Sequence, residues 1–122
     1  MDITKTIAAL KKEPCFADNV GMVLIHNGVV RAWSRKDRSS VSHVDVAANP
    51  KKLTALRDEY EKKPGIYRII IEAQTGRLKP GDDLLFIVVA GDIREHVKPV
   101  LAELLDRVKA EAVIKTEYPW IT

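Results

Sequence analysis

Cysteine is nearly missing from this chain: its 122 residues contain one, Cys15. No intramolecular disulfide can form. With no signal-peptide pattern at the start, a reducing, cytoplasmic location is expected. Long apolar runs are missing too. The longest are short, such as residues 84–90, whereas a membrane-spanning helix needs roughly 20 apolar residues. The familiar chemical signatures are also absent. There is no Walker loop, G-x-G-x-x-G, C-x-x-C or H-E-x-x-H pattern. Ser39 and Ser40 lack the glycine-flanked elbow of a serine hydrolase. His26, His43 and His96 are scattered, so each reads as a surface or strand histidine, and no metal site is expected.

What remains is an ordinary globular composition, with 46% apolar and 30% charged residues. The length suits one domain spanning residues 1–122, large enough to bury a core without disulfides or metal. Residues 2–13 read as an amphipathic helix capped by Asp2 and ended by Pro14. Residues 20–32 read as a strand in which Gly28 marks a bulge. Residues 34–40 show no periodicity and read as a mobile loop. Residues 41–47 suit a half-buried strand. Asn49-Pro50 opens a helix with Leu53, Leu56 and Tyr60 on one face, and Pro64-Gly65 stops it. Residues 67–73 and 83–90 read as an antiparallel pair joined by a long loop over residues 75–82. Residues 93–113 read as the last large helix. Asp92 and Glu95 have capping-box spacing, and Pro99 should kink this helix or mark its true start. A short tail follows. The order α, β, β, α, β, β, α predicts an α+β fold of two layers, helices packed on a largely antiparallel sheet.

The net charge of +3 does not by itself imply nucleic acid, but the positive charge is uneven. Arg31, Arg35, Lys36 and Arg38 fall within eight positions, interrupted by a single acid, Asp37. Such a cluster is a solvated loop, a nucleic-acid patch or a pocket for a phosphorylated small molecule. Trp33 within it suits stacking on a base or pterin, and equally a buried aromatic anchor. Cys15 is a small, partly buried side chain or, with a lowered pKa, a persulfide carrier.

Three stretches in order carry a resemblance. Gly28-Val29-Val30-Arg31, preceded by Val20-Gly21, matches a G-x-V-R strand end that leads into a basic loop. Gly76-Arg77-Leu78-Lys79-Pro80-Gly81-Asp82 matches a G-x-L-x-x-G-D/E turn. The last helix places Arg94 and Lys109 at an arginine and a lysine position, with Lys115 nearest to a second lysine. Over about residues 20–120 the chain resembles the large, catalytic subunit of molybdopterin synthase. It departs from that pattern in three places. Ile93 stands where the family has the histidine of a His-Arg pair, with His96 three residues away. Lys115-Thr116-Glu117-Tyr118-Pro119 carries a Lys-Thr-x-x-Pro phrase that would put Lys115 at the first lysine position. The family's C-terminal extension has no counterpart.

The resemblance implies an α/β-hammerhead fold and a sulfurtransferase. Sulfur would pass from the thiocarboxylated C-terminus of a small ubiquitin-like subunit to cyclic pyranopterin monophosphate, forming molybdopterin. It implies Lys109 as the main catalytic group with Lys115 assisting, and Arg31, Arg38 and Arg94 binding substrate. It also implies a homodimer core within a heterotetramer, and neither membrane nor nucleic acid as partner. The alternatives are a homologue that only docks the ubiquitin-like partner, or a small nucleic-acid-binding protein. Geometry adds two conditions. Arg94 and Lys109 lie roughly 22 Å apart on one helix, at ~1.5 Å per residue, so they share a small ligand only across a two-fold axis. Lys109 and Lys115 face one pocket only if the helix ends between them.

Overall fold

Residues 1–120 are described by the computed structural model. Helix α1 (Ile3–Lys11) begins at Asp2, whose carboxylate accepts a hydrogen bond from the Lys5 N–H at 3.0 Å, and a short helix α2 (Phe16–Asn19) follows. Then come β1 (Met22–Val29), β2 (Val41–Ala48), α3 (Pro50–Glu61), β3 (Ile66–Ala73), β4 (Gly76–Leu78), β5 (Asp83–Gly91), α4 (Arg94–Glu111) and β6 (Val113–Pro119). Asn49 caps α3 through the Lys52 N–H at 3.1 Å, with Pro50 in the first turn, where its missing N–H costs nothing.

The strands divide into two three-stranded antiparallel sheets, β1-β5-β3 and β4-β2-β6. Fold class and the antiparallel pairing of β3 with β5 agree with the sequence reading, while the single expected sheet is split in two. In the first sheet β5 is central and buried from Leu85 to Gly91. That burial accounts for an apolar run without alternation. Leu85, Ile87 and Val89 meet Leu56 and Tyr60 of α3 and Val97, Val100, Leu104 and Val108 of α4 in the main core. The second sheet has a smaller core of Val30, Val41, Val44 and Val46. A register shift between Val41 and His43 lets Val41 and Val44 both point inward. The other face of this sheet carries the stacked pair His43–Tyr118 and the ion pair Arg77–Asp45.

Three local expectations need correction. The tail is a strand: β6 pairs with β2 from Val113 to Pro119. It leaves α4 with no glycine or proline signal at the junction, so periodicity alone hides it. The loop over residues 75–82 contains β4, paired with β2. Asp92 and Glu95 do not form a capping box. Ile93 is the N-cap without a side-chain bond, while Asp92 Oδ1 takes the Ile93 N–H at 2.6 Å and His96 Nδ1 at 2.8 Å. The His96 hydrogen bond holds the Asp92 carboxyl below the usual carboxylate range. Of the two readings of Pro99, the helix start is excluded, since α4 opens at Arg94 and runs through the proline. The expected bulge at Gly28 is present, as a register shift between Gly28 and Val29 against β5.

Candidate functional site

The sequence brings its cations together through three elements. The end of β1 is stitched to the turn after β4: the Val30 N–H donates to the Asp82 carbonyl at 2.9 Å, and the Gly81 N–H donates to the Val30 carbonyl at 2.8 Å. Gly81 has φ of +94°, a left-handed conformation that favours glycine. This turn fixes the point where Arg31 leaves the strand. Lys109 comes from the last turn of α4. That helix stops at Glu111, the chain reverses through Ala112, and β6 carries Lys115 back past the same place.

The result is a cleft of about 510 Å³. It is lined by Arg31, Ser34, Arg35 and Lys36 from the segment after β1, by Leu84 and Leu85 of β5, by Lys109 of α4 and by Val113, Lys115 and Glu117 of β6. Five cations and one carboxylate therefore line a space of small-molecule size. Such a surplus concentrates anions.

The charges act on one another. Burial lowers the Lys115 pKa; Arg31 and Lys109 lower it further, while Glu117 acts in the opposite direction. The Lys115 side chain keeps 35% of its surface and its ammonium lies 3.9 Å from Glu117. Glu117 is itself anchored, accepting a hydrogen bond from Ser34 Oγ at 3.0 Å. Resemblance implies the leading role for Lys109 and the assisting one for Lys115, and it is Lys115 whose ammonium is disfavoured by burial and by its cationic neighbours.

Residues 34–40, read as a mobile loop, fold into a hydrogen-bonded turn. The Ser34 N–H donates to the Ser39 carbonyl and the Arg38 N–H to the Ser34 carbonyl, both at 2.8 Å. Asp37 accepts from the Ser39 backbone and hydroxyl, and Trp33 pairs with Ser40. Arg38 sits at φ of +63° with its guanidinium 4.1 Å from the Trp33 ring centre, and Arg31 lies 4.8 Å from the same ring. Trp33 is thus engaged by two guanidiniums within its own chain, and Arg38 is not in the cleft wall.

Of the five expected site residues, Arg31, Lys109 and Lys115 meet in the cleft. The condition for the two lysines, a helix ending between them, is fulfilled. Arg94 does not meet them. It is 78% exposed at the far end of α4, beside Gly21, Met22 and Ile93. Cys15 is exposed rather than partly buried. Glu117 and Ser34 escaped the sequence reading. Val113, Lys115 and Glu117 alternate as one face of a strand, a signal legible only once residues 113–119 are read as β. Among the described residues no helix is long and apolar enough to cross a membrane.

Comparison with known proteins places the chain. The family model described as MoaE protein matches residues 1–111. The crystal structure of molybdopterin synthase from Staphylococcus aureus is similar at 24% identity and a TM-score of 0.73, covering 84% of this chain and 77% of that one. A molybdopterin biosynthesis MoaE protein from Burkholderia ambifaria MC40-6 is 22% identical with a TM-score of 0.74, covering 98% and 81%. One chain of a complex of subunits 1 and 2 of molybdopterin-converting factor from Helicobacter pylori 26695 is 16% identical, with a TM-score of 0.71 and coverage of 98% and 80%. No curated protein sequence matches the chain. These structural likenesses establish the fold, and the family match, which spans β1, the turn after β4 and all of α4, establishes kinship: the chain belongs to the MoaE protein family.

Proposed function

We propose that this chain is the catalytic subunit of a molybdopterin synthase. It transfers sulfur from the C-terminal thiocarboxylate of a small ubiquitin-like subunit to cyclic pyranopterin monophosphate. The observation that carries this reading is the cleft in which Arg31, Lys109 and Lys115 converge from three elements. Both proposed ligands are anions, a phosphate and a thiocarboxylate, and paired cations with fixed directions suit them. The Staphylococcus aureus relative is described as a molybdopterin synthase and the Helicobacter pylori relative as a two-subunit complex, which accords with a carrier partner here.

The thiocarboxylate sulfur bonds to a carbon of the pterin side chain and displaces an oxygen substituent from it. Water then attacks the carbonyl of the resulting thioester, the carrier's C–S bond breaks, the carrier leaves as a carboxylate and the sulfur stays on the pterin as a thiolate. Two such transfers give the dithiolene. The step has no need of a cysteine on this chain, and no metal or bound cofactor enters it. Arg31 binds phosphate at the mouth of the loop. Lys109 holds the thiocarboxylate. Lys115, whose neutral amine is favoured by burial and by its cationic neighbours, shuttles the proton. Arg94 is supplied by a second copy related by a two-fold axis, since roughly 22 Å of helix separates it from Lys109 in one chain. Arg38 supports the loop from the Trp33 ring.

The test is reconstitution. Purified chain is mixed with a thiocarboxylated small subunit and the cyclic precursor, and molybdopterin is read as its fluorescent oxidation product. Product from the wild type, with strong loss in Lys109→Ala and Lys115→Ala, is the expected result. Complex formation without product would favour a docking module. That outcome has a specific rationale in Ile93, which stands exposed where the family has a histidine.

A further inference from the structure

His26 is the one polar side chain that β1 sends toward the main core. Met22 and Leu24, of the same strand parity, pack there, and His26 pairs across the sheet with buried Ile87. Its ring leans along the strand toward Gly28: a Cβ on Gly28 would lie 2.9 Å from His26 Nε2 and 3.5 Å from the Leu85 carbonyl oxygen. Gly28 pairs with Leu85, and Leu85 lines the cleft together with Lys109. The absent side chain at Gly28 thus leaves room for an imidazole beside Leu85, a residue of the cleft lining. Nε2 is buried and has no hydrogen-bond partner. A buried polar atom left without a partner is costly and calls for one.

We propose that His26 is a positioning residue of the cleft, its unprotonated Nε2 serving as the acceptor that draws in and orients the ammonium of Lys109. Lys109 carries its three donors on a flexible four-carbon stem, stands in the last turn of α4 and lines the same cleft as Leu85. Burial lowers the His26 pKa and the Lys109 charge lowers it further; both keep the ring an acceptor at neutral pH. The remaining charges of the cleft, Arg31, Arg35, Lys36, Lys115 and Glu117, belong to the loop and to β6. They leave Lys109 as the donor that α4 offers. The role extends the sulfur-transfer reading, yet the contact itself can be tested without it.

The deciding measurement is long-range proton–nitrogen NMR of the His26 ring in the intact wild-type chain and in Lys109→Met, a change on an exposed helical position. The proposal expects Nε2 unprotonated at neutral pH. Removing the ammonium should move the Nε2 resonance downfield, toward a free acceptor, and raise the pH at which the ring titrates. A protonated Nε2, or a resonance and midpoint unmoved by Lys109→Met, overturns it. A second arm uses activity. His26→Phe, which fills the space without an acceptor, should lower turnover about tenfold at unchanged melting temperature. His26→Gln, which retains an acceptor, should recover most of it. Equal loss in both variants overturns the positioning role. If the wild type makes no product, the functional reading fails by itself, and the NMR arm still decides for or against the contact.

Discussion

The two sheets use their residues in opposite ways. The β1-β5-β3 sheet is covered by α3 and α4, and its central strand is buried from Leu85 to Gly91. The β4-β2-β6 sheet rests on four buried valines and leaves its edge strands open. Stability is concentrated in the first and cationic chemistry in the second: Lys115 and Glu117 stand on the edge strand β6, and Arg31 leaves β1 where the smaller core begins. The cleft lies where the two meet. A large core can hold a crowd of like charges in place; a small core beside it leaves those charges partly solvated and reachable. The difference teaches that the site is tolerated by the fold rather than part of what stabilises it.

The sharpest way to test that division is to remove charge from the cleft and apolar bulk from the core. Lys109→Ala and Lys115→Ala should each lower product formation by ~10²–10⁴-fold, the usual contribution of a positioned acid or base. Both variants should stay folded. Lys115→Met should even raise the melting temperature, because it removes a partly desolvated ammonium from among other cations. A fall in melting temperature with that variant would break the division. Leu104→Ala, at a position of 0% exposure in the main core, should cost about 2–5 kcal/mol in denaturant unfolding. Val44→Ala, 1% exposed in the smaller core, should cost less, about 1–3 kcal/mol, in line with the smaller side chain. Equal costs would mean that the two cores are one cooperative unit of similar packing.

The same division governs what could be read from the sequence. The main core was legible because its helices keep a 3.6 period and β5 is an unbroken apolar run. Asp2, Asn49-Pro50 and Pro64-Gly65 marked helix ends through local chemistry alone. The second sheet was half hidden. β4 is three residues long, and β6 follows a helix without punctuation, so their existence depends on pairing with β2. At the site, Arg31, Lys109 and Lys115 were named by resemblance, but their meeting depends on where α4 stops. Glu117 and Ser34 could not be foreseen, because their bond joins residues 83 positions apart. His26 looked like any strand histidine; only the tertiary fold shows a buried nitrogen without a partner.

A smaller effect sharpens the electrostatic side of the comparison. Lys115 has a lowered pKa in the folded chain, so folding releases its proton in the window between that value and the ordinary lysine pKa. Stability should therefore rise with pH through this window, and the pH–rate profile should reach its plateau below the ordinary lysine range. Arg31→Gln removes one of the cations responsible. The Lys115 pKa should rise and the limb of the profile should move to higher pH. An unmoved limb would mean that another group sets it.

The smallest expected effect lies where the two regions join, behind the cleft. Arg107 of α4 reaches Glu59 of α3 and Glu111, and Lys52 of α3 reaches Glu111 at 3.1 Å. The Arg107 and Lys52 hydrogen bonds push the Glu111 pKa down to about 2 from an ordinary value of 4.5. A carboxylate with a depressed folded pKa contributes stability above its unfolded pKa, and that contribution is lost as pH falls through the folded value. Melting curves from pH 5 to pH 2 should therefore separate wild type from Glu111→Gln at the upper end and converge at the lower. The gap should be small, because these pairs face solvent. Product formation at neutral pH should be unchanged, since Glu111 closes α4 without lining the cleft. If Glu111→Gln instead lowered activity along with the melting temperature, the place where α4 ends would be set by this ion cluster. The register that brings Lys109 and Lys115 together would then depend on charge behind the cleft as well as on the packing of Val108 and Ala112 beneath it.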